Sequence, residues 1–147
     1  MLVDTSPLPE ISSLLYVSLS AVAPEEANRV VGEIVAAALV HNRAQNITGA
    51  LLFTGTHFAQ VLEGERAALD PLMASIRSDP RHSQVLVVDR HVTEARRFAG
   101  WSLAYGGPSQ FVSGHVTRLL AQPSPLAHSR AADWLADLLR EFSGDRG

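Results

Sequence analysis

Two polar side chains lie in the middle of apolar segments that are typical of buried strands. Tyr16 lies within residues 14–17, and Gln60 lies within residues 58–62. Side chains alternate between the two faces of a strand, so Gln60 shares a face with Phe58 and Leu62. An amide in such surroundings must be hydrogen-bonded, because leaving it unpaired costs about 1–3 kcal/mol. The two positions indicate polar chemistry inside a core.

Asn42, near the end of the first predicted helix, adds a second amide. A phenol both donates and accepts, and each amide offers two donors and an acceptor, so the three together could bind the polar edge of a planar heterocycle. Each residue also has an ordinary structural explanation. A buried tyrosine can bond a carbonyl, and Asn42 can cap the helix C-terminus. The residue types alone leave both interpretations open.

Other catalytic chemistry finds little support in the sequence. The 147 residues include no cysteine, which excludes disulfides, thiolate metal sites and a cysteine nucleophile. The common motifs of serine hydrolases, zinc proteases, phosphate-binding loops and dinucleotide folds are absent. The 6 histidines lie far apart along the chain, so no metal site is predicted.

Charged residues elsewhere are predicted to be structural. Glu63 and Glu65 are explained by a turn and by the start of the second helix, where carboxylates oppose the positive end of the helix dipole. The charges between Asp89 and Arg97 balance one another and predict a solvated surface.

Hydrophobic periodicity predicts the elements that position these residues. A helix begins at Pro24, since apolar residues recur at steps of three and four up to Leu39. A second helix follows Glu65 and ends before Pro80, and it tolerates Pro71 only near its first turn. Short apolar segments predict five strands, at residues 13–19, 47–53, 58–62, 85–88 and 101–105.

This βαββαββ order predicts an α+β sandwich of ferredoxin-like type, with two helices on one face of a sheet. Two additional C-terminal helices are predicted after residues 106–108, and the second of them carries an apolar stripe that includes Trp134. The chain is therefore divided into an N-terminal arm, 1–12, a core domain, 13–106, and a helical appendage, 107–147, that packs on the sheet.

Composition limits the class of protein further. The net charge of −3 argues against a non-specific nucleic-acid binder, which carries a basic excess. No apolar segment approaches the roughly 18–20 residues that span a bilayer, and the N-terminus lacks the features of a secretion signal. We expect a cytoplasmic protein with no direct nucleic-acid partner and no membrane partner.

Six segments in combination resemble the BLUF family, the sensors of blue light using FAD. The resemblance extends from about Leu14 to Tyr105, and the intervals between Asn42, Gly49, Gln60 and Trp101 match the family pattern. The segments are LYVS (15–18), HN (41–42), ITGALLF (47–53), FAQVLEG (58–64), DPRHS (79–83) and RFAGWSL (97–103).

The resemblance implies that FAD lies between the two helices, with its ring facing the central strands. It implies that Tyr16 is the photoactive tyrosine, that Gln60 is the switch glutamine, and that Asn42 holds the pyrimidine edge of the ring. The other cofactor-binding residues that it implies are His41, Asp79, Arg81 and His82. Signal relay is assigned to Trp101 and Leu103.

The resemblance also implies a mechanism. Light drives proton-coupled electron transfer from Tyr16, and Gln60 then rearranges to form a new bond to the flavin C4 carbonyl, which shifts the absorption to the red. Hydrogen bonds are worth about 0.5–1.5 kcal/mol each, which moves a two-state equilibrium only about 2- to 13-fold. The output is therefore expected to be a nearly balanced element, the fifth strand with the helices that follow.

Three positions depart from the family pattern. Leu103 replaces the usual methionine, Ser75 stands where several members have a basic or histidine side chain, and His41 replaces an asparagine. They leave an alternative open, a degenerate BLUF-like interaction module with weak or no flavin binding. An enzyme is not expected, because no acid, base or nucleophile cluster remains. The C-terminal stripe either covers the sheet or contacts an unidentified effector protein or a second copy.

Overall fold

The computed structural model describes residues 10–99 and 104–106. Its helices and strands occur in the predicted order, so the α+β class and the βαββαββ sequence of elements are confirmed. They are β1 (Ile11–Ser20), α1 (Ala27–Ala44), β2 (Thr48–Phe53), β3 (His57–Gly64), α2 (Arg66–Ser78), β4 (His82–Thr93) and β5 (Ala104–Gly106). A 3-10 turn, Pro24–Glu26, leads into α1.

The five strands form one sheet in the order β4-β1-β3-β2-β5. β1 pairs antiparallel with both β3 and β4, and β3 pairs antiparallel with β2. Each helix connects two strands that are not neighbours, which is the split βαβ arrangement of ferredoxin-like folds. β5 adds a parallel strand at the outer edge of β2, so the sheet is mixed.

The register of the central strands decides which side chains meet. Tyr16 in β1 lies directly opposite Gln60 in β3. Both belong to the sheet face that the helices cover. One core cluster, which includes Tyr16 and Leu62, packs beneath α2. A second cluster, which includes Leu51 and Phe58, packs beneath α1. The photoactive pair predicted from the sequence therefore lies on the helix-covered face.

Several element boundaries differ from the sequence-based expectation, and so does the position of Pro71 in its helix. α1 continues past His41 to Ala44. β4 is much longer than its apolar stretch of 85–88, because register shifts along β1 let polar residues at both of its ends keep pairing. Pro71 lies in the second turn of α2 and not in the first. The carbonyl of Ala67 loses its amide partner there, which the exposed position of Ala67 tolerates.

Several predicted features lie outside the described residues. They are most of the N-terminal arm, the two predicted C-terminal helices, and Trp101 and Leu103, to which signal relay was assigned. Within residues 10–99 and 104–106, no helix combines the length and the apolar character that crossing a membrane requires.

Candidate functional site

The centre of the site is a hydrogen bond between two buried side chains on neighbouring strands. The phenol of Tyr16 donates to Oε1 of Gln60 over 2.5 Å. Directly opposed residues of an antiparallel pair have Cβ atoms about 4.5–5.5 Å apart, which lets a long phenol reach across to the amide. Tyr16 is 1% exposed and Gln60 is 6% exposed, so bulk water does not compete for the bond.

Burial raises the pKa of the Tyr16 phenol far above its ordinary value, and the negative charge of Asp79 raises it further. Both effects disfavour the phenolate. Tyr16 is therefore a neutral O–H donor throughout the physiological pH range. The direction of the bond follows, since an amide oxygen can only accept.

The side-chain amide of Gln60 keeps hydrogen-bonding capacity that no described residue uses. Its only hydrogen-bond partner among the described residues is Tyr16, which occupies one of the two polar atoms of the amide. The other atom is buried without a partner there, whichever way the amide is turned. A buried unpaired donor costs about 1–3 kcal/mol. Such an atom indicates a ligand that completes the network.

A cleft of about 310 Å³ opens between α1 and α2. Its lower wall is formed by Leu72 and Ile76, which pack against the core cluster that contains Tyr16. Ile34 and Ala38 belong to the cluster beneath α1. The other residues that line the cleft are Ala37, His41, Pro71, Ser75, Asp79 and Arg81. An apolar cleft with a few polar groups at its mouth is the usual form of a small-molecule site.

Asn42 and His41 occupy the last turn of α1. Asn42 is 1% exposed, and its backbone carbonyl accepts a bond from the amide of Ile47 over 2.8 Å. The helix is capped by Gln45, so the interpretation of Asn42 as the cap residue is wrong. His41 is exposed at the mouth of the cleft, with Nδ1 3.4 Å from Oδ1 of Asn42.

Asp79 and Arg81 form the charged end of the cleft. The guanidinium of Arg81 donates from Nε to Oδ1 over 2.9 Å and from Nη2 to Oδ2 of Asp79 over 2.6 Å. This contact lowers the pKa of the Asp79 carboxyl and raises the pKa of Arg81. Only two of the three guanidinium nitrogens bond Asp79, so Arg81 can offer further donors to an anionic group in the cleft.

His82 faces the core and does not line the cleft. Its Nδ1 lies 2.8 Å from Oγ of Ser18, and its ring packs against the rings of Phe58 and Tyr16 with centroid distances of 4.5 and 6.1 Å. Burial is the main cause that lowers the pKa of His82, and Arg81 lowers it further, whereas Asp79 opposes both. His82 is therefore a neutral partner of Ser18 at pH 7.

The lowered pKa of His82 predicts that the fold loses stability in mild acid. Below about pH 6.5 the unfolded chain binds a proton at this histidine before the folded chain does, so the free energy of unfolding falls as the pH falls. Urea unfolding of the flavin-free protein at pH 7 and pH 5 measures this loss. In His82→Asn we expect the pH dependence to decrease without disappearing, because burial also lowers the pKa of His57.

An exposed histidine serves as the control. His91→Asn removes a surface side chain that contacts Asp89, and the loss of stability between pH 7 and pH 5 is expected to persist in this variant. An undiminished pH dependence in His82→Asn would contradict the assignment of this histidine as a buried neutral group.

The structure corrects two predictions about surface charge. Glu63 is not a turn residue, because it lies in β3 and is 0% exposed. Its carboxylate accepts bonds from the backbone amides of Arg97 and Phe98. Arg96 is half-buried and donates to Thr48, so this part of the charged segment is not solvated. Strand alternation puts Glu63 on the opposite face from Gln60, but it does not by itself predict that this face is buried.

Within the described part of the chain, no group of three histidine or acidic side chains is arranged to hold a metal ion.

Comparisons with known proteins agree with this geometry. The family model of BLUF, sensors of blue light using FAD, matches residues 11–104. This chain therefore belongs to the BLUF family of flavin-binding blue-light sensors. The BLUF domain is a sensor module and not an enzyme.

Individual relatives show how the domain is used elsewhere. The photoactivated adenylate cyclase subunit beta of Euglena gracilis is 34% identical over 91 residues, 61% of this chain and 10% of the cyclase subunit. The blue light- and temperature-regulated antirepressor BluF of Escherichia coli is 33% identical over 88 residues, 60% of this chain and 21% of BluF. The chain thus spans about a tenth to a fifth of these curated relatives.

Solved structures support the fold over a larger share of the chain. The dark-state structure of BlrB, a BLUF protein, superposes with a TM-score of 0.67 at 34% identity and covers 85% of this chain and 96% of BlrB. The photo-activated state of BlsA superposes with a TM-score of 0.74 at 20% identity, covers 88% of this chain and 94% of BlsA, and supports the fold alone.

The residues present fit a flavin. The ring of a flavin is planar and apolar on its faces, which suits the walls formed by Ile34, Leu72 and Ile76. Its pyrimidine edge alternates acceptors and donors, which suits the amide atom of Gln60 that has no partner among the described residues. Neither Gln60 nor Asn42 lines the cleft itself, and both are buried. Its phosphates are anionic, which suits Arg81 at the mouth.

Proposed function

We propose that this chain is the sensing domain of a blue-light photoreceptor and binds FAD non-covalently between α1 and α2. The observation that carries this proposal is the buried Tyr16–Gln60 pair, in which one polar atom of the amide has no partner among the described residues. Two observations support the same function. The chain belongs to a family of flavin-binding light sensors, and the hydrogen-bond network at the expected glutamine is incomplete among the described residues.

Different side chains bind different parts of the cofactor. Gln60 and Asn42 bind the polar edge of the ring, while Arg81 binds the phosphates with Asp79 holding its guanidinium in place. His41 lies at the mouth of the cleft, and His82 supports Tyr16 from behind. When bound, the flavin supplies blue-light absorption and, in its excited state, an oxidant. The proposal of FAD, and not FMN, rests on the family description, sensors of blue light using FAD.

Tyr16 is the donor in the proposed response to light. With the excited flavin as the electron acceptor, the phenol of Tyr16 would give up one electron, and its proton would move along the 2.5 Å bond from Oη to Oε1 of Gln60. Return of both to Tyr16 restores the phenol and leaves the amide of Gln60 turned or tautomerised. No covalent bond to the cofactor forms. The lit state differs from the dark state only in hydrogen bonds, worth about 0.5–1.5 kcal/mol each.

BLUF domains signal to effector domains or partners. We propose that this chain signals to a separate protein through Trp101, Leu103 and the predicted helices of 107–147. β1, β2 and β3 direct a second set of apolar side chains away from α1 and α2, and this set includes Leu15, Leu52 and Val61. These side chains support the proposal that the C-terminal helices cover the second face of the sheet. The cytoplasmic location and a possible homo-oligomer stay predictions from the sequence.

Reconstitution with flavin tests the proposal. The purified chain, refolded with FAD and passed over a desalting column, is expected to retain about one flavin per chain and to respond reversibly to blue light. A chain that stays colourless after refolding with FAD would favour the degenerate interaction module, for which the small Ser75 side chain in the cleft is the relevant observation.

Arg81→Ala is expected to separate phosphate binding from ring binding. Loss of a charge-assisted contact costs about 1.5–3 kcal/mol, so the Kd for FAD should rise about 10-fold or more. The affinity for riboflavin, which has no phosphate, should stay unchanged. Titrations followed by flavin fluorescence measure both.

Arg66→Ala is the matched control, because Arg66 is an exposed arginine at the start of α2 that contacts only Asp70 in the described part of the chain. Equal loss of riboflavin and FAD affinity in Arg81→Ala would contradict the assignment to the phosphates.

A further inference from the structure

The connection between β4 and β5 leads from one edge of the sheet to the other. It is hydrogen-bonded to the central strand β3 on the way. β4 and β5 are the two edge strands in the order β4-β1-β3-β2-β5. The fastening point is the carboxylate of Glu63, which accepts from the amide of Arg97 over 2.6 Å and from the amide of Phe98 over 2.9 Å. The turn at 96–98 thus has its backbone bonded directly to a side chain of β3.

The contacts around this carboxylate are extensive. Thr48, opposite Glu63 in the register, donates its hydroxyl to Oε1 over 3.0 Å. Arg96 donates from Nη1 to the Thr48 hydroxyl and to the backbone carbonyl of Glu63, each over 2.9 Å. Glu63 is 0% exposed and Phe98 is 1% exposed. A buried carboxylate requires such bonds, which are stronger than those between neutral groups.

The position of Glu63 links two parts of the proposed sensor. Gln60 is three residues away on the same strand, a distance of about 10 Å. Trp101 follows Phe98 by three residues along the chain. Gln60 and Glu63 point to opposite faces of β3, so the backbone of this strand directly connects the Tyr16–Gln60 pair on one face to the turn at 96–98 on the other.

We infer that Glu63 is a positioning residue that couples Gln60 to the segment after Phe98. This inference rests on the proposed function, because it concerns the output of the same light-driven change. The turn at 96–98 is docked on the carboxylate in the dark and is released, or docked less tightly, in the lit state. The two amide hydrogens of Arg97 and Phe98 report directly on this contact.

Hydrogen exchange of the wild-type holoprotein in darkness and under continuous blue light tests the inference. Illumination is expected to speed exchange at the amides of Arg97 and Phe98 by about 2- to 13-fold, the range that one or two rearranged hydrogen bonds can produce. The absorption spectrum of the same sample shows whether the chromophore has responded. A red shift with unchanged exchange at both amides would overturn the coupling role and leave the photoreceptor intact. Absence of any red shift would overturn both.

Glu63→Gln separates positioning from a purely structural role. The amide retains the size of the side chain, but it replaces one acceptor oxygen with a donor that faces a backbone N–H. We expect this variant to keep the red shift, to exchange Arg97 and Phe98 rapidly even in darkness, and to lose the difference between light and dark at these amides. If the exchange rates of these two amides in Glu63→Gln still differed between light and dark as much as in the wild type, the inference would be contradicted.

Asp70→Asn is the control for a carboxylate-to-amide change, because Asp70 is an exposed partner of Arg66 and Arg90 away from this turn. It is expected to keep the light-dependent exchange of the wild type. If Glu63→Gln does not fold, Thr48→Val removes one donor to the carboxylate and keeps both backbone bonds. The exchange difference is then expected to decrease without disappearing, and a difference equal to that of the wild type would count against the inference.

Discussion

A Tyr16→Phe variant is expected to bind flavin and to show no red shift under blue light. The substitution removes only the hydroxyl, so the ring keeps its packing against the cluster that includes Leu14 and Met73. Gln60 loses its donor, and the stability of the fold falls by about 1 kcal/mol. Phenylalanine has no proton to release and is far harder to oxidise, so both parts of the proposed transfer are lost.

Light-minus-dark absorption spectra of the flavin-loaded variant measure this outcome. Tyr105→Phe is the control, because Tyr105 is the second of the 2 tyrosines in the chain and lies in the edge strand β5. It is expected to keep the full red shift. A Tyr16→Phe protein with the photocycle of the wild type would remove this residue from the mechanism.

A Gly49→Ala variant is expected to lose about 3 kcal/mol of stability, at the upper end of the usual cost of overpacking. A Cβ at Gly49 would lie 2.0 Å from the carbonyl oxygen of Val61 and 3.1 Å from its carbonyl carbon, and both atoms belong to the backbone of β3. The strands β2 and β3 would have to separate beside Leu62, between Gln60 and Glu63. Flavin binding is expected to weaken together with the fold.

A glycine-to-alanine substitution at Gly32 is expected to raise the stability of the fold and not to lower it. Apart from the neighbouring residues and the backbone of α1 itself, no described atom lies within 4 Å of a Cβ built at this position. Alanine in an exposed helix interior is favoured over glycine by about 0.5–1 kcal/mol. Urea unfolding of the two variants beside the wild type measures both changes. Equal effects of the two substitutions would show that the close approach of β2 and β3 at Gly49 does not limit stability.

The sequence alone was sufficient to predict that Tyr16 and Gln60 lie on buried strands. Period-two alternation assigned Gln60 to a strand face with apolar neighbours, and the family pattern added its pairing with Tyr16. Both residues lie on strands whose apolar patterns are unambiguous, so their positions depend little on distant parts of the chain. The direct opposition of the two residues required the register, which the sequence does not encode locally.

The contacts of Glu63 could not be predicted in the same way. Its partners Arg97 and Phe98 are more than thirty residues away in sequence, and a charged residue near a predicted turn is usually solvated. The length of β4 was missed because its polar ends carry no apolar pattern and the register shifts on β1 are a property of the pair of strands. Pro71 was placed too early in α2 because helix propensity does not report that solvent can satisfy a freed carbonyl.

The absorption spectrum of the wild-type holoprotein, recorded before, during and after blue illumination, tests the light-sensing role most directly. Rearranged hydrogen bonds around an unreduced ring predict that the visible flavin band moves to longer wavelength with its intensity retained and returns in darkness. Bleaching of that band, or a spectrum that light leaves unchanged while flavin remains bound, would contradict a switch built from Tyr16 and Gln60.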